Sequence, residues 1–404
     1  MKKIMNGILL LGILFLTACG GEPVPEPLPE DGLRGPGEAP SDHPGWTVDM
    51  EREVYDPSLT TFAYFIRNET GETAEFGEDY QIRRLEGGMW TDLTPRDNWG
   101  FNHIGYSLAH GGEMALTCTL DRYEEPPEPG RYQLVKPLGD TAAYVEFQLG
   151  KSPYTAETPY GFEPLENLPE NYRADTAPKD CVVFANSGMR NPENVEAFLR
   201  KSALGVPCQL RAVEDRGDGD PVIQDVIYEN GHFLRRARRS GKIEEQRFSY
   251  LVTDGQDLYL SNGTDWASGE QYHDSRALLI PKGTPEMIAA AEETTARRLE
   301  GNAARYQIWS ADGVWSAALT NVPTEFSVRW QKPGEGSWGG VYDLQNWDGL
   351  ETSVTGISWQ KDGALLLTCG TSNGGTSRLA FSPETERLTS LDFYGLPLAE
   401  DTSK

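Results

Sequence analysis

The sequence predicts a mainly β protein with an α+β centre: an N-terminal β-sandwich, a central helix-on-antiparallel-sheet module and a C-terminal antiparallel β-domain. Three observations predict this class. Short apolar runs separated by turn residues recur along most of the chain. Glycine and proline are frequent, at 43 and 27 of 404 residues, as in turn-rich β proteins. Only two segments combine a capping residue with helical apolar spacing.

The first 19 residues have the three parts of a secretory signal. Lys2 and Lys3 form a basic start, residues 8–16 are apolar, and small residues precede Cys19. A stable membrane span takes roughly 18 apolar residues, and this run is shorter and is interrupted at Gly12. We therefore expect an export signal at residues 1–18 rather than an anchor helix. The alternative is an ordinary secreted protein in which Cys19 has no special role.

The segment Leu16-Thr17-Ala18-Cys19 resembles the lipobox of bacterial lipoproteins. This resemblance implies that Cys19 is the first mature residue, carries acyl chains such as palmitate and anchors the protein to the outer face of the cell membrane. Each buried methylene of such a chain adds roughly 0.8 kcal/mol of membrane affinity. Residues 19–45 are rich in glycine, proline and acids, a composition typical of an extended, solvated tether.

The chain is strongly acidic, with 62 acidic and 36 basic residues and a net charge of −26. This charge argues against nucleic acid as a partner, because nucleic-acid binding requires basic residues that neutralise phosphates. It also argues against anionic lipid binding by the protein body. Solubility at a cell surface is the simplest explanation of the charge.

The histidines and the remaining cysteines are scattered and show no metal-ligand spacing, so we expect no metal and no cofactor. These cysteines are Cys118, Cys181, Cys208 and Cys369. A Cys181–Cys208 disulfide would suit an oxidising exterior. Buried free thiols are at least as consistent with the sequence, because each cysteine lies in an apolar, strand-like run.

Residues 46–150 contain seven candidate strands with turn signals between them, the spacing typical of a β-sandwich. The candidates are residues 46–55, 60–68, 80–85, 89–92, 112–120, 130–136 and 143–149. Residues 62–70, Trp90 and the Pro-Gly turn and strand at 129–136 resemble a bacterial Ig-like domain family (type fourteen) found in lipoproteins. The resemblance implies a fold and a surface location and no activity.

Residues 151–179 are predicted to be a linker, and residues 180–304 an α+β domain. Asn191 followed by Pro192 predicts the start of one helix, and Thr284 caps a second that continues to about residue 304. Five strands are predicted between the helices, at residues 208–214, 221–229, 232–239, 245–253 and 256–261. Asn230-Gly231 and Asp254-Gly255 are hairpin signals.

This central module resembles a lipoprotein domain of unknown function, the four-three-six-two family. The residues that carry the resemblance are an opening Val-Val pair, the helix from Asn191, the basic strand 209–213 and the turn Gly219-Asp220-Pro221. The family has Thr and Glu just before that turn, whereas this chain has Arg216, Gly217 and Asp218. This difference weakens any functional role for the turn. A tight turn explains Gly219-Asp220-Pro221 better than a cation or phosphate loop.

The one basic cluster is Arg235, Arg236, Arg238 and Arg239. On a strand, Arg235 and Arg239 lie on one face while Arg236 and Arg238 lie on the other. Pairing with the chain's own acids is favoured, and an anionic partner is the alternative.

Residues 305–396 are predicted to form a Trp-rich β-domain of short strands. Trp315, Trp330 and Trp338 are the candidate ligand-binding residues, since exposed indole rings stack on sugars. We expect most tryptophans in this region to be core residues, because each ring buries a large area.

No Ser/His/Asp set or carboxylate pair stands out as catalytic, so the sequence favours a non-catalytic binding or accessory role in the cell envelope. An envelope protein or a glycan is the expected partner besides the membrane. A hydrolase acting on cell-wall or extracellular polymer is the alternative. A solute-binding lipoprotein is least favoured, because that fold needs repeated βα units.

Overall fold

Strands dominate the structure, a computed structural model, and this confirms the mainly β fold class. It describes residues 45–391 except 98, 102–103, 139–140, 170–171, 186–187, 216–220, 268–275, 301–303, 333–335, 347–351 and 372–373. The predicted signal, Cys19 and the tether, apart from its last residue, lie outside the described residues, as does the turn at Gly219-Asp220. Within the described ranges, no helix has the length and apolar character needed to cross a membrane.

The N-terminal module is the predicted β-sandwich. Its strands are β1 (Trp46–Met50), β2 (Val54–Tyr55), β3 (Thr61–Asn68), β4 (Ala74–Gly77), β5 (Gln81–Glu86), β6 (Met89–Asp92), β7 (Gly105–Leu108), β8 (Glu113–Thr119), β9 (Gly130–Leu138) and β10 (Thr141–Leu149). The sheet β1-β3-β8 and the sheet β2-β10-β9-β5-β6 share one core, in which Tyr64, Ile66, Ile82 and Phe147 are fully buried.

The predicted strand over residues 46–55 is two strands in different sheets. β1 pairs antiparallel with β3, whereas β2 pairs parallel with β10. Trp46 and Val48 face the core from the first sheet and Tyr55 faces it from the second. The chain therefore crosses from one sheet to the other at residues 51–53. The alternation of apolar residues alone does not reveal this change of sheet.

In the part of the central module that the structure describes, two long helices pack against two sheets. Its elements are β11 (Val182–Ala185), β12 (Gly188–Arg190), α1 (Glu193–Ala203), β13 (Cys208–Glu214), β14 (Val222–Glu229), β15 (His232–Arg239), β16 (Lys242–Phe248), β17 (Tyr250–Thr253), β18 (Leu258–Ser261), β19 (Ala277–Ile280) and α2 (Pro285–Leu299). The larger sheet has the order β12-β11-β13-β14-β15-β16, and β17-β18-β19 form the smaller one. β11 and β13 are parallel, with α1 as the crossover, so the larger sheet is mixed rather than a pure antiparallel meander.

The two helix starts differ in how well the sequence predicts them. Thr284 caps α2 as expected, since its hydroxyl accepts from the Met287 amide at 3.3 Å. The prediction of Asn191 as the cap of α1 is wrong. Asn191 has a φ of 57°, its side-chain Nδ2 donates to the Cys181 carbonyl, and Pro192 occupies the capping position. The helix still buries Val195, Phe198 and Leu199 on one face, as the spacing predicts.

Residues 151–179, expected to be a linker, pack against the face of the larger sheet that is opposite to the helices. Two 3-10 turns, Leu165–Asn167 and Ala174–Thr176, place Leu165 and Leu168 against Cys181 and Val213. The segment therefore contributes a layer to the central module.

Cys181 and Cys208 are free thiols on opposite faces of the larger sheet. Cys181 belongs to the small core under residues 151–179, and Cys208 belongs to the core beneath the helices. The sheet separates the two sulfur atoms, so they are not bridged.

The C-terminal module is two antiparallel sheets of four strands each, in chain order. The strands are β20 (Tyr306–Trp309), β21 (Trp315–Leu319), β22 (Glu325–Lys332), β23 (Gly336–Asp343), β24 (Thr352–Trp359), β25 (Leu365–Thr371), β26 (Thr376–Ser382) and β27 (Arg387–Leu391). Leu319 and Phe326 from the first sheet share a fully buried core with Leu365 and Phe381 from the second. The two sheets therefore form one domain.

Polar contacts join the central and C-terminal modules. Ser249 Oγ donates to the Gln307 carbonyl at 2.7 Å and accepts from Trp309 Nε1 at 3.1 Å. His232 lies against the Trp309 ring, with centroids 4.3 Å apart, and shares a 2.8 Å hydrogen bond between its Nε2 and Arg247 Nη1. Since Arg247 is the donor, Nε2 carries a lone pair and the imidazole is neutral.

We expect His232 to make this junction acid-labile. Burial, and then the charge of Arg247, lowers the pKa of His232 to about 4 from 6.5. Because the unfolded state takes up the proton first, stability is fully present above pH 6.5 and is lost as the pH falls towards 4, by up to about 3 kcal/mol. Thermal unfolding at pH 7 and pH 5 measures the loss, and H232Q should lose less stability than the parent over that interval.

Candidate functional site

A row of three tryptophans crosses the first sheet of the C-terminal module. Trp315 on β21 is the direct cross-strand partner of Trp330 on β22, and Trp330 is the partner of Trp338 on β23. Directly paired residues project from the same face of an antiparallel sheet, so the three indoles lie side by side. The rings of Trp315 and Trp338 meet edge to face, with centroids 6.2 Å apart.

The tryptophan row lies at the open end of a face that is otherwise buried. On the same three strands, Leu319, Phe326 and Tyr342 are paired with one another and pack towards the second sheet. The side chain of Trp338 is 39% exposed, and Trp315 and Trp330 are half-buried. The row therefore lies next to the core on the same face of the sheet, and its rings are partly exposed to solvent.

A cleft of about 540 Å³ adjoins the row and is walled by Trp315 and by Trp359, which ends β24 in the second sheet. Its polar lining includes Ser310, Lys361 and the carboxylates of Asp312, Asp362 and Glu384. A second cavity of about 400 Å³ shares Trp359, Ser310 and Ala311 with the first and extends to Trp309 and Arg247. Aromatic walls with a few polar groups are typical of small-molecule sites.

Two polar groups in the cleft have defined states. Burial raises the pKa of Asp312, but hydrogen bonds from Ser310 Oγ and the Val314 amide outweigh this, so its pKa is lowered and it remains a carboxylate. The indole Nε1 of Trp359 is buried and has no acceptor within the described ranges. The cleft therefore has a charged acceptor in its lining, whereas the indole nitrogen of Trp359 is buried from solvent.

None of the five described tryptophans of this module is fully buried, although Trp315 and Trp359 pack against its core, so the expectation that most would be core residues is met only in part. Trp309, Trp315, Trp330 and Trp359 are half-buried and Trp338 is exposed, while Trp347 lies outside the described residues. The sequence singled out Trp315, Trp330 and Trp338, and the structure brings those three together. The sequence did not indicate Trp359, because only the packing of the second sheet against the first brings that residue close to the row.

Metal and thiol chemistry find no support among the residues that the structure describes. No group of three or more histidine, cysteine or acidic side chains there is arranged to hold a metal ion. Burial raises the pKa of Cys118 to about 12 and that of Cys369 to about 11, so both are protonated and unreactive at neutral pH.

The sequence contains one pattern that is associated with serine hydrolases. Residues 370–374 are Gly-Thr-Ser-Asn-Gly, which fits the G-x-S-x-G pattern of a nucleophile elbow. An elbow needs a strand-to-helix turn, whereas Gly370 and Thr371 end β25, and the next described element, β26, is a strand antiparallel to it. Ser372 itself lies outside the described residues. Because the motif is followed by a strand and not by a helix, it does not indicate an elbow here.

Comparison with solved structures gives only weak similarities. The sporulation control protein of Bacillus subtilis matches 63% of this chain and 96% of its own, at 11% identity and a TM-score of 0.19. A periplasmic gluconolactonase from Pseudomonas aeruginosa matches 84% of this chain and 70% of its own, at 11% identity and a TM-score of 0.18. A β-glucosidase from Listeria innocua matches 28% of this chain, at 13% identity and a TM-score of 0.18. The match spans only 16% of that enzyme. Similarities at this level support no conclusion about activity.

Comparison with protein families is informative for the first module. No curated protein matches the chain. Residues 42–149 match the family model described as a bacterial Ig-like domain, and the boundaries agree with the strands from β1 to β10. The N-terminal module of this protein is therefore a bacterial Ig-like domain.

Proposed function

We propose that this protein is a lipid-anchored, non-catalytic binding protein of the bacterial cell envelope, and that the tryptophan row binds a saccharide. The observation that carries the proposal is the in-register row Trp315–Trp330–Trp338 beside a cleft that contains Trp359 and carboxylates. The ring face of a sugar is apolar and stacks on indole, while its hydroxyls donate to carboxylates.

The anchor part of the proposal depends on the lipobox at Cys19 and the acidic tether that follows it. In this layout the lipid holds the Ig-like domain near the outer face of the membrane, and the C-terminal module comes last along the chain. The resemblance of residues 180–304 to a lipoprotein domain family agrees with such a location. An envelope glycan, rather than a cytoplasmic compound, is the ligand class such a protein would meet.

Anchoring is tested by replacing Cys19 with serine. In a bacterial host that processes lipoproteins, we expect the parent chain to incorporate labelled palmitate and to sediment with membranes. C19S should incorporate no label and should appear in the soluble or secreted fraction, because the thiol that carries the acyl chain is gone. Equal membrane association of the two chains would contradict the lipid anchor.

Saccharide binding is tested by truncating the most exposed ring of the row. We expect W338A to lower the affinity for an insoluble cell-wall polysaccharide by about tenfold or more, the effect typical of a central aromatic contact. W99A is the matched control, since Trp99 is 48% exposed and belongs to the Ig-like domain. Pull-down with a series of wall polysaccharides measures both variants. Binding that is equally strong in W338A and the parent would exclude the row as the binding surface.

The carboxylates in the cleft favour a hydrolase as the second candidate. A glycoside hydrolase needs one carboxyl group kept protonated beside an ionised one. Asp312 does not fit the acid role, because its hydrogen bonds lower its pKa and hold its carboxylate in the turn before Trp315. Release of reducing ends from the bound polysaccharide would nevertheless favour the enzyme over the binding protein.

A further inference from the structure

A cavity of about 470 Å³ lies in the central module, between the helix-side face of the larger sheet and the segment around β19. Its polar and charged lining consists of Arg235, Arg239, Arg276, Gln224, Gln246 and Glu214. Phe184, Val222 and the β19 residues Ala277 and Leu279 supply apolar walls. The lining carries three positive charges and one negative charge, in a chain whose net charge is −26.

The four clustered arginines divide between two environments according to the face of β15 from which they project. On the outer face, Arg236 pairs with Glu166 and Glu245, and Arg238 donates to the carbonyls of residues 165, 168 and 169. These interactions fasten residues 151–179 to the sheet, as expected for arginines in an acidic protein.

The inner face differs, because among the described residues neither of its arginines has an acidic hydrogen-bond partner. Arg235 Nε donates to Gln224 Oε1 at 3.0 Å and its Nη1 donates to Gln246 Oε1 at 3.3 Å. The two amides fix the guanidinium in place without neutralising it. Arg239 is exposed at the mouth of the cavity and has no hydrogen bond or ion pair within the described ranges. Burial, and then the charge of Arg239, lowers the pKa of Arg235, and the exposed Glu244 only partly offsets this.

Arg276 brings a third guanidinium to the cavity from the opposite wall. Its side chain stacks on the Trp266 ring at 3.7 Å and donates to the Trp266 carbonyl, which fixes its position. Together, arginines preorganised on two walls and an apolar floor form an environment suited to a small anion with an apolar part.

We propose that this cavity binds a small organic oxyanion, with its carboxylate or phosphate group between Arg235 and Arg239 and its apolar part against Val222 and Leu279. Arg235 and Arg239 project from the same face of β15 and line the same cavity, and guanidinium groups provide the charge-assisted hydrogen bonds that such oxyanions accept. The site belongs to the central module and is independent of the tryptophan row, so it would give this protein a second ligand class.

Isothermal titration calorimetry on the purified chain tests the proposal, with benzoate and phenyl phosphate as probes and phenol and inorganic phosphate as references. We expect at least one aromatic anion to bind more tightly than both references, because the site needs the charge and the apolar group together. R239Q should weaken that binding by about tenfold, because a charge-assisted contact is lost. Arg239 is exposed, so R239Q should unfold at the parent's temperature.

The matched control is R236Q, which makes the same change of charge on the same strand but on the opposite face. It should leave the affinity unchanged within about twofold, since only a long-range Coulomb effect remains. Equal weakening by R239Q and R236Q would overturn the proposal, and so would binding of phenol as strong as that of the anions. Failure of both aromatic anions to bind, or inorganic phosphate binding as tightly as they do, would overturn it as well.

Discussion

Replacing Asp225 by alanine is expected to destabilise the central module by about 3–5 kcal/mol, because it leaves a buried guanidinium without its counter-ion. Arg211 on β13 and Asp225 on β14 are cross-strand partners joined by two hydrogen bonds of 2.7 Å, with side chains only 4% and 3% exposed. Arg211 also donates to the Glu163 carbonyl and stacks over Phe162 at 5.0 Å. The pair therefore connects residues 151–179 to the sheet.

Hydrogen exchange of the β13 and β14 amides measures this loss locally, so unfolding of the other modules does not obscure it. D175A is the control, because Asp175 forms an exposed ion pair with Arg173 whose removal should leave exchange unchanged. The double variant R211M/D225M should recover most of the protection, since an apolar pair leaves no charge unpaired. Full protection in D225A would show that the ion pair does not stabilise this sheet.

Replacing Phe326 by alanine is expected to cost the C-terminal module about 3–5 kcal/mol, through lost burial and the cavity that remains. The ring is fully buried, stacks on Tyr342 with centroids 5.3 Å apart and meets Phe381 of the second sheet edge to face at 5.3 Å. Phe326 thus connects the two sheets, and it lies on the same strand as Trp330.

Denaturant unfolding followed by tryptophan fluorescence checks this, because five of the described tryptophans lie in that module. F326L is the graded control and should cost less than F326A, since leucine refills most of the volume. If F326A unfolded at the same denaturant concentration as the parent, the shared core between the two sheets would be contradicted.

Local signals in the sequence predicted much of the secondary structure. Thr284 caps α2, and Asn230-Gly231, with φ values of 49° and 76°, forms the expected tight turn between β14 and β15. The prediction of one strand over residues 245–253 is wrong, because the chain changes sheets at Ser249. The side chain of Ser249 is buried against Gln307 and Trp309, and these contacts are distant in sequence. The parallel pairing of β11 with β13 is likewise set by packing of α1, which no local pattern shows.

The candidate sites were also predictable only in part, because they too depend on contacts between residues that are distant in sequence. Strand alternation correctly places Arg235 and Arg239 on one face, but the covering of that face by β19 depends on the tertiary fold. The sequence named Trp315, Trp330 and Trp338 as candidate ligand-binding residues, but their alignment in one row depends on the hairpin registers. Trp359 reaches the cleft from another sheet, which the sequence does not indicate.

Incubation of the purified chain with insoluble cell-wall polysaccharide, followed by measurement of both bound protein and released reducing ends, tests the proposed function most directly. We expect saturable binding that is lost in W315A/W338A and retained in W99A, with no release above that of the polysaccharide alone. Absence of binding across the polysaccharide series would contradict saccharide recognition. Release of reducing ends that depends on the tryptophan row would contradict a non-catalytic role.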